Sequence, residues 1–342
     1  MMSDADALIL GIESSCDETA AAVVRGGREA LSSVVRSQIA EHAAWGGVVP
    51  EIAGRSHLRA IVPTVDEALR EAGCRREDLA GIAVTARPGL LGSLLVGVTA
   101  AKSLAWAWDK PLIPVHHIEA HVYAALMSVE DWQFPYITLV VSGGHTSLYR
   151  TDSPLDHTLL GATRDDAAGE ALDKAAAMLE LGYPGGPAIQ KAATDGDPKA
   201  YAFKRPLLGP DSLEFSFSGM KTAMLYKLKG PGGKREDPTL PESSNLAGMA
   251  ASFEAAVMDT LIRKCLRASK QHGIPRILIG GGVACNRRLR EDMAVAAARR
   301  GVEAVFARPE HCTDNAVMIA GLGHARLQAG ETADLLLDVM AS

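Results

Sequence analysis

Apolar and polar positions along the first part of the chain follow two periods, one typical of strands and the other of helices. Residues 7–15 form an apolar run that ends in a short polar turn, and residues 19–24 and 30–37 continue the β-compatible pattern. From residue 51 to residue 72, apolar side chains recur three and four positions apart, which predicts an amphipathic helix. The chain therefore begins with a predicted β-hairpin followed by a helix.

Strands and helices alternate along the rest of the chain. Further strands are predicted at residues 81–85, 112–116, 136–141, 146–150, 276–279 and 304–307. Further helices are predicted at residues 90–108, 119–129, 170–181, 253–272, 286–300 and 315–328. Residues 187–245 are polar and rich in Pro and Gly, so we expect an insertion with little core of its own.

The order of a strand, a polar turn and a return strand occurs twice, at the N-terminus and again from about residue 131. Because helices alternate with strands after each hairpin, we expect an α/β protein of two lobes with largely parallel sheets flanked by helices. We place the first lobe at residues 1–130 and the second at residues 131–342, with the last helix returning to the cleft. Ligands are expected in that cleft between the lobes, where the turns at the strand ends converge.

The composition favours a globular protein of a reducing cytoplasm. Hydrophobic residues make up 47% of the 342 residues and charged residues 22%, which is enough for a packed core. No apolar stretch reaches the ~18 uncharged residues that a membrane span needs. Residues 1–7 are acidic, unlike a signal peptide. The five cysteines form no C-x-x-C pair, so we expect neither a disulfide framework nor a cysteine zinc site.

The net charge of −6 is opposite to the basic excess typical of proteins that bind nucleic acids. Local basic clusters are Lys221, Lys227, Lys229, Lys234 and Arg235, followed by Arg287, Arg288 and Arg290. The favoured interpretation of each cluster is a solvated face, and the alternative is a local phosphate site. Any nucleic acid is therefore expected to bind locally or with help from partner proteins.

The first candidate for chemistry is His117-Ile118-Glu119-Ala120-His121, at the start of a predicted helix. Residues four apart share a helix face, so both imidazoles can point at one metal ion. Glu119 faces elsewhere, and the motif differs from the H-E-x-x-H pattern of metalloproteases. His116 is a weaker ligand candidate. The alternative is two surface histidines at chance spacing.

A site with two histidines needs an anionic third ligand and open positions for water or substrate. Asp314 is the candidate, because it stands in a loop that follows a predicted strand and enters the last predicted helix. The alternative is that Asp314 caps that helix, a role to which Asp is well suited.

Three glycine-bearing turns form a second group: Ser142-Gly143-Gly144, Gly185-Gly186 and Gly280-Gly281-Gly282. Glycine lets the backbone approach a ligand closely, and N–H groups at such turns and at helix starts bind phosphate. None of the turns matches a P-loop or the G-x-G-x-x-G spacing of a dinucleotide fold. Three such turns in a two-lobed chain suit a nucleotide in a cleft better.

Asp173 and Asn286 are each predicted at the start of a helix. An Asp commonly accepts hydrogen bonds from ribose hydroxyls, and an Asn can bind a base edge or a phosphate. The alternative roles are helix capping and first-turn charge.

Taken together, these motifs resemble one protein family. The matching segments are Gly11-Ile12-Glu13-Ser14-Ser15-Cys16-Asp17-Glu18-Thr19, His117 to His121, Val140-Val141-Ser142-Gly143-Gly144-His145-Thr146, Gly182-Tyr183-Pro184-Gly185-Gly186, Phe215-Ser216-Phe217-Ser218-Gly219 with Lys221, Gly281-Gly282-Val283-Ala284-Cys285-Asn286 and Asp314-Asn315-Ala316. In this order they resemble the tRNA adenosine N6-threonylcarbamoyltransferases, a family formerly labelled O-sialoglycoprotein endopeptidase. The resemblance runs from about residue 8 to residue 328.

The resemblance implies an actin-like fold of the sugar kinase and Hsp70 type. It implies one divalent metal per subunit, held by His117, His121 and Asp314, with iron expected and zinc as the alternative. It also implies a nucleotide-substrate site at Val140, Val141, Ser142, Gly143, Gly144, Asp173, Gly186 and Asn286.

The implied reaction transfers a threonylcarbamoyl group from threonylcarbamoyl-adenylate to N6 of the adenosine beside the anticodon, in tRNAs that read codons beginning with A. AMP is released. The metal is expected to polarise the carbamoyl carbonyl or to bind the adenylate phosphate. The sequence shows no obvious nucleophile, which fits direct transfer. For Cys16, a small buried hydrophobic role is favoured.

The resemblance further implies partners besides tRNA: an inactive paralogue of the same fold and a small ATPase. We expect the apolar, small-residue helices of the first lobe to contact a partner. Three other functions were weighed. A metalloprotease is disfavoured by the position of Glu119, and a metal-dependent ATPase or kinase of the same fold does not explain the two histidines. The third is a nucleotide-bound scaffold without catalysis.

Overall fold

The computed structural model describes residues 6–206, 208–229 and 245–341, which contain eleven strands and ten α-helices. The strands are β1 (Leu8–Glu13), β2 (Glu18–Arg25), β3 (Glu29–Ala30), β4 (Val34–Ser37), β5 (Leu79–Arg87), β6 (Leu112–His116), β7 (Tyr136–Val141), β8 (Thr146–Ser153), β9 (Asp156–Ala162), β10 (Arg276–Gly280) and β11 (Glu303–Phe306). The helices are α1 (Ile39–His42), α2 (Pro50–Ala72), α3 (Leu91–Trp108), α4 (His117–Leu126), α5 (Ala168–Met178), α6 (Gly185–Ala192), α7 (Ser218–Lys229), α8 (Leu246–His272), α9 (Arg287–Ala298) and α10 (Ala316–Gln328).

The chain forms two compact units. The first unit consists of Met1–Trp132, Ser153–Asp156 and Glu310–Ser342, and the second of Gln133–Asp152 and His157–Pro309. Although it comes last in the sequence, α10 therefore belongs to the same unit as β1.

The sheet of the first unit has the order β3-β2-β1-β5-β6, and β4 pairs with β2. β1 runs antiparallel to β2 and parallel to β5, and β5 runs parallel to β6. All six residues of β1 are buried, because helices cover both faces of the sheet. Leu8, Leu10 and Ile12 face the core formed with α2 and α3. The alternate positions of β1 face α10, where Gly11 touches the helix backbone.

The sheet of the second unit has the order β11-β10-β7-β8-β9. β7 runs antiparallel to β8 and parallel to β10, and β10 runs parallel to β11. In each unit, the first strand of a hairpin pairs with its return strand on one side and with a parallel strand on the other. The two sheets therefore share one strand order, and the predicted α/β class is confirmed.

The main differences from the sequence prediction lie between residues 156 and 229. β9, α6 and α7 were not predicted, because their segments are short and rich in polar residues, Gly or Pro. The described part of the segment expected to form an insertion at residues 187–245 carries the buried side chains of Phe203, Phe215 and Phe217, and the ring of Phe203 packs against Phe253 of α8. Residues 230–244 of this segment lie outside the described residues.

One described helix, α3, is long and apolar enough to cross a membrane by length and composition alone. The core helix of a globular protein meets the same criterion. In this structure α3 packs against α2 and β5, with Leu94, Val98 and Ala101 in the core of the first unit.

Candidate active site

The two histidines of the predicted metal motif enter the first unit on α4, which begins directly after β6. The preceding residue, His116, is the N-cap of this helix, and its side chain accepts a hydrogen bond from the backbone N–H of Ile118. His116 is thereby used in capping, as its weaker ranking as a ligand suggested. One helical turn separates His117 from His121, and both side chains are buried. Their ring centroids are 4.7 Å apart.

Asp314 lies opposite these histidines, two residues before α10. The cap of α10 is Asn315, whose side chain accepts a hydrogen bond from the backbone N–H of Met318 at 3.1 Å. The alternative interpretation of Asp314 as a helix cap is therefore wrong. Its Oδ1 lies 3.1 Å from Nε2 of His121 and 3.5 Å from Nε2 of His117.

Two imidazoles and one carboxylate are a donor set suited to a divalent metal ion. Among the described residues, His117, His121 and Asp314 offer ligand atoms that all lie within 4.8 Å of one another. Metal–ligand bonds of ~2.0–2.2 Å are compatible with donor atoms at this separation. The set of two histidines and one carboxylate occurs in both zinc and non-haem iron sites, so the residues fit either metal.

A second carboxylate lies behind His117, at the end of β1. Oε2 of Glu13 is 3.0 Å from Nδ1 of His117, and the Oγ of Ser15 is 3.2 Å from the same nitrogen. The hydroxyl of Thr85 donates to Oε2 of Glu13 at 2.6 Å. Sequence reasoning assigned no role to Glu13 or Thr85. The available signal was a carboxylate that ends a strand otherwise composed of apolar residues.

Charge and burial act in opposite directions on these groups. Burial alone lowers the pKa of His117, but the carboxylates of Asp314 and Glu13 outweigh it and hold that pKa well above its usual value. Burial raises the pKa of Asp314, yet the two imidazoles outweigh burial and keep that pKa well below its usual value. The site is therefore a set of mutually stabilised charges, which a cation can enter by replacing protons.

Glu119, the acidic residue inside the histidine motif, points away from this centre, as predicted. Its Oε2 lies 2.6 Å from a guanidinium nitrogen of Arg326 in α10. Arg326 also contacts Glu331 at 2.7 Å. The ion pair with Glu119 links α4, which carries the histidines, to α10, which follows Asp314.

The turn after β1 adds two titratable groups near Asp314. Burial is the main cause that raises the pKa of Glu18 to about 9, and the charges of Asp314 and Asp17 add to it. Burial also raises the pKa of the Cys16 thiol, again with help from Asp17 and Asp314. Cys16 therefore stays a protonated thiol, which argues against a nucleophilic role.

In the second unit, two of the predicted glycine turns meet. The turn at residues 142–145 follows β7, and the glycines at 280–282 follow β10, its parallel neighbour. A Cβ on Gly281 would lie 2.4 Å from the carbonyl oxygen of Val141, so the turns touch. Ligands of open parallel sheets bind at this end of the strands.

Within the glycine turns, packed and open positions alternate. A Cβ on Gly185 would meet the Cα of Asp173 at 2.4 Å, and Gly281 is constrained by Val141 and by its φ of 93°. By contrast, nothing lies within 4 Å of such an atom at Gly143, Gly144, Gly186 or Gly282. Val140 and Val141 have buried side chains, so they can offer only backbone groups to a ligand.

Asp173 and Asn286 are already used in local structure. Asp173 lies in the second turn of α5, so its predicted place at a helix start is wrong; its Oδ1 accepts a hydrogen bond from the backbone N–H of Gly185 at 2.7 Å. Asn286 is the cap of α9 through Leu289, as its alternative role suggested. Its amide also donates to the buried carboxylate of Glu254 at 2.7 Å, a partner that sequence reasoning missed.

The second basic cluster is largely neutralised. Arg287 and Arg288 form ion pairs one turn along α9 with Glu291 and Asp292. Arg290 donates to the carbonyl oxygens of Ala284 and Ala307. In the first cluster, Lys227 lies over the ring of Phe203, while Lys234 and Arg235 lie outside the described residues. The described arginines thus favour a solvated face over a phosphate site.

Solved structures with a similar fold have low sequence identity to this chain. The activator of 2-hydroxyisocaproyl-CoA dehydratase from Clostridium difficile, solved with bound ADPNP, aligns with a TM-score of 0.55 and 12% identity, covering 94% of this chain and 96% of that one. HypF of T. kodakarensis aligns with a TM-score of 0.63 and 16% identity, covering 95% of this chain and 48% of that one. This chain is therefore an actin-like α/β protein with a His–His–carboxylate centre in its first unit.

Sequence relatives give the family. The family model described as TsaD, tRNA N6-adenosine threonylcarbamoyltransferase, matches residues 29–321. The relative of that name from Trichlorobacter lovleyi is 53% identical over 335 residues, which cover 98% of this chain and 96% of the relative. The one from Geobacter sulfurreducens is 53% identical over 331 residues, with 97% and 95% covered. The chain belongs to the tRNA N6-adenosine threonylcarbamoyltransferase family, and its resemblance to this family is confirmed.

Proposed function

We propose that this chain is an acyltransferase that moves a threonylcarbamoyl group onto N6 of an adenosine in tRNA. The observation that carries the proposal is the approach of His117, His121 and Asp314 to one another, in a chain that belongs to a family named for this reaction. The adenosine beside the anticodon, in tRNAs that read codons beginning with A, is the acceptor that the resemblance implies.

The donor in this proposal is threonylcarbamoyl-adenylate. N6 of the adenosine attacks the carbamoyl carbon, and a C–N bond forms. The bond from that carbon to the phosphate oxygen breaks, AMP leaves with the electron pair, and the proton lost from N6 passes to solvent. A direct transfer is proposed, since the sequence shows no obvious nucleophile and burial raises the pKa of the Cys16 thiol.

His117, His121 and Asp314 would hold a divalent cation, for which we propose iron, with zinc as the alternative. Such a cation supplies Lewis-acid stabilisation of charge on the carbamoyl carbonyl or on the adenylate phosphate. The protein itself keeps the three ligands in place. α4 fixes both imidazoles on one face, and the packing of α10 against β1 fixes the loop that bears Asp314.

For the adenylate we propose the glycine turns of the second unit. Gly143, Gly144 and Gly186 have open space where a side chain would stand, so a ligand can approach the backbone closely there. We propose that backbone N–H groups of these turns bind phosphate oxygens. Val140, Val141 and Ser142 shape the first turn. Asp173 and Asn286 are proposed to contact the nucleoside, as the resemblance to the family implies.

We propose that the chain works in the cytoplasm with tRNA, an inactive paralogue of the same fold and a small ATPase. The outer faces of α2 and α3 carry exposed apolar side chains, with Leu58 66% and Leu91 53% exposed. Exposed apolar side chains on adjacent helices are typical of a protein contact. We propose this pair of helices as the surface for the paralogue.

The test is transfer in vitro from radiolabelled threonylcarbamoyl-adenylate to tRNA, with the purified partners present. His121→Ala and Asp314→Asn should lose both transfer and bound metal, while their circular dichroism stays that of the wild type. His272→Ala, an exposed histidine at the end of α8, is the control and should retain both. Full transfer by the metal-free Asp314→Asn protein would overturn the proposal, and ATP turnover without transfer would favour the kinase or ATPase alternative.

A further inference from the structure

We propose that Glu13 is the positioning residue of the metal centre: it fixes the ring of His117 so that Nε2 is the nitrogen presented to the cation. This inference rests on the metal centre proposed above. The imidazole of His117 lies between two carboxylates, with Glu13 beside Nδ1 and Asp314 beside Nε2. Nδ1 of His117 is 3.0 Å from Glu13, and Nε2 is 3.5 Å from Asp314.

The position of Glu13 is set by the sheet rather than by the site. Glu13 is the last residue of β1, all of which is buried, and the parallel pairing of Ile12 with Val84 places it beside Thr85 of β5. Its carboxylate receives two further hydrogen bonds. The backbone N–H of Ser15 donates to Oε1 at 2.5 Å, and the hydroxyl of Thr85 donates to Oε2 at 2.6 Å. Both carboxylate oxygens of Glu13 are thereby held by hydrogen bonds.

An ionised carboxylate can only accept hydrogen bonds, so the nitrogen of His117 that faces Glu13 must be the donor. With the hydrogen on Nδ1, the lone pair of a metal-bound His117 lies on Nε2, on the side of Asp314. Carboxylate groups commonly orient metal-binding histidines through this contact, which also makes the ring a stronger donor to the metal. Glu13 therefore selects both the orientation of the ring and the atom that binds.

The second histidine lacks this support. Nδ1 of His121 is buried and has no hydrogen-bond partner among the described residues. The orientation of His121 thus depends on packing and on its contact with Asp314. Of the two imidazoles, His117 is the one whose geometry the protein sets before a metal arrives.

Glu13→Gln is the sharpest probe, because it keeps the shape of the side chain while it removes the negative charge and changes the hydrogen bonding. Thr85→Val, which leaves the charge of Glu13 in place, separates the two effects. The backbone N–H of Ser15 cannot turn away, so the amide oxygen of Gln is drawn to it, and the amide NH2 then faces His117. The reverse orientation serves His117 but sets the NH2 against the N–H of Ser15. In the first orientation Nδ1–H of His117 loses its carboxylate acceptor and keeps only the more distant Ser15 hydroxyl at 3.2 Å, and in the second the N–H of Ser15 lacks an acceptor.

The experiment measures the affinity of the purified full-length chain for Zn²⁺ in competition with a chromophoric chelator. We expect Glu13→Gln to bind Zn²⁺ about 10–100-fold more weakly, as outer-shell substitutions commonly do. The matched control is Glu254→Gln, which removes a buried carboxylate from the second unit and should leave the Zn²⁺ affinity unchanged. Thr85→Val removes one of the groups that hold Glu13 and should weaken Zn²⁺ binding in the same direction.

A spectroscopic measurement separates positioning from general support of the fold. In the Zn²⁺-loaded protein with ¹⁵N-labelled histidine rings, Nδ1–H of His117 should give a downfield, exchange-protected proton signal. The signal should be absent in His117→Ala and shifted upfield in Glu13→Gln, while the melting temperatures of the metal-free proteins agree.

Failure of the wild type to bind Zn²⁺ or Fe²⁺ would overturn the metal centre itself. Wild-type affinity and an unshifted signal in Glu13→Gln would overturn the role of Glu13 alone. If Glu13→Gln does not fold, unchanged Zn²⁺ affinity in Thr85→Val overturns it.

Discussion

Nε2 of His121 lies 3.1 Å from Oδ1 of Asp314, although 193 residues separate them in the sequence. The contact exists because α10, at the end of the chain, packs against β1, at its beginning, and against α4. A site made from distant parts of the sequence depends on this packing. Substitutions that displace α10 should therefore affect the metal ligands without touching them.

Gly11 is a point of close approach between β1 and α10. A Cβ at this position would lie 2.3 Å from the carbonyl oxygen of Ala316 and 2.7 Å from the backbone nitrogen of Ala320. Because backbone atoms cannot move aside cheaply, Gly11→Ala should lower the free energy of unfolding by about 1–3 kcal/mol or more. It should also weaken metal binding. Chemical denaturation and Zn²⁺ titration measure both effects.

Gly54→Ala is the control for that substitution. Gly54 lies inside α2, and a Cβ there would meet its nearest neighbour, Gly92, at an ordinary 3.6 Å. Since Ala favours a helix interior over Gly, this variant should gain up to ~1 kcal/mol of stability and keep the metal affinity of the wild type. Equal stability of the two variants would show that α10 does not constrain Gly11.

The ion pair of Glu119 and Arg326 should contribute a measurable coupling. Both side chains are mostly buried, at 28% and 17% exposure. In a double-mutant cycle with Glu119→Gln and Arg326→Met, we expect an interaction of about 0.5–3 kcal/mol in the free energy of unfolding. The same cycle with Glu331→Gln, whose side chain is 47% exposed, should give ~1 kcal/mol or less. If the effects of Glu119→Gln and Arg326→Met on the free energy of unfolding are additive, the ion pair does not stabilise the packing of α4 against α10.

The lowered pKa of Lys264 should make the free energy of unfolding depend on pH. Its side chain is buried in α8, and Nζ donates to the carbonyl oxygen of Ser212 at 2.6 Å. Burial, with the charge of Arg267, lowers its pKa from 10.5 to about 8. Between these pH values the unfolded chain holds a proton that the folded chain has released, so the free energy of unfolding rises with pH.

The measurement compares the wild type with Lys264→Met by chemical denaturation between about pH 7 and about pH 10. The stability of the wild type relative to the variant should increase as the pH rises above about 8. Other groups titrate in both proteins and cancel in the difference. A difference that stays constant with pH would show that Lys264 keeps its ordinary pKa in the folded state, and a difference that falls would show that its pKa is raised there.

Periodicity was sufficient for the strongly patterned elements. The helix predicted at residues 51–72 is α2 (Pro50–Ala72), and the two hairpins and their parallel strands were found because apolar runs mark buried strands. It failed for α6 and α7, where Gly, Pro and polar residues conceal short helices. The burial of Phe203, Phe215 and Phe217 depends on contacts with other elements that local sequence does not report.

The candidate site was predictable only in part. The spacing of His117 and His121 implied a shared face, and the resemblance to the family supplied Asp314 as their partner. Glu13 and Thr85 could not be assigned, since their contact with His117 follows from the register of β1 and β5. A capping role was wrong for Asp314 and correct for Asn286, because Asn315 already caps α10.

The central claim is that this chain catalyses threonylcarbamoylation of tRNA through its metal centre. The most direct test is nucleoside mass spectrometry of bulk tRNA from cells depleted of the protein. We predict that threonylcarbamoyladenosine disappears on depletion and returns with the wild-type gene but not with His117→Ala expressed at the same level. Unchanged threonylcarbamoyladenosine under verified depletion, or full restoration by His117→Ala, would contradict the account.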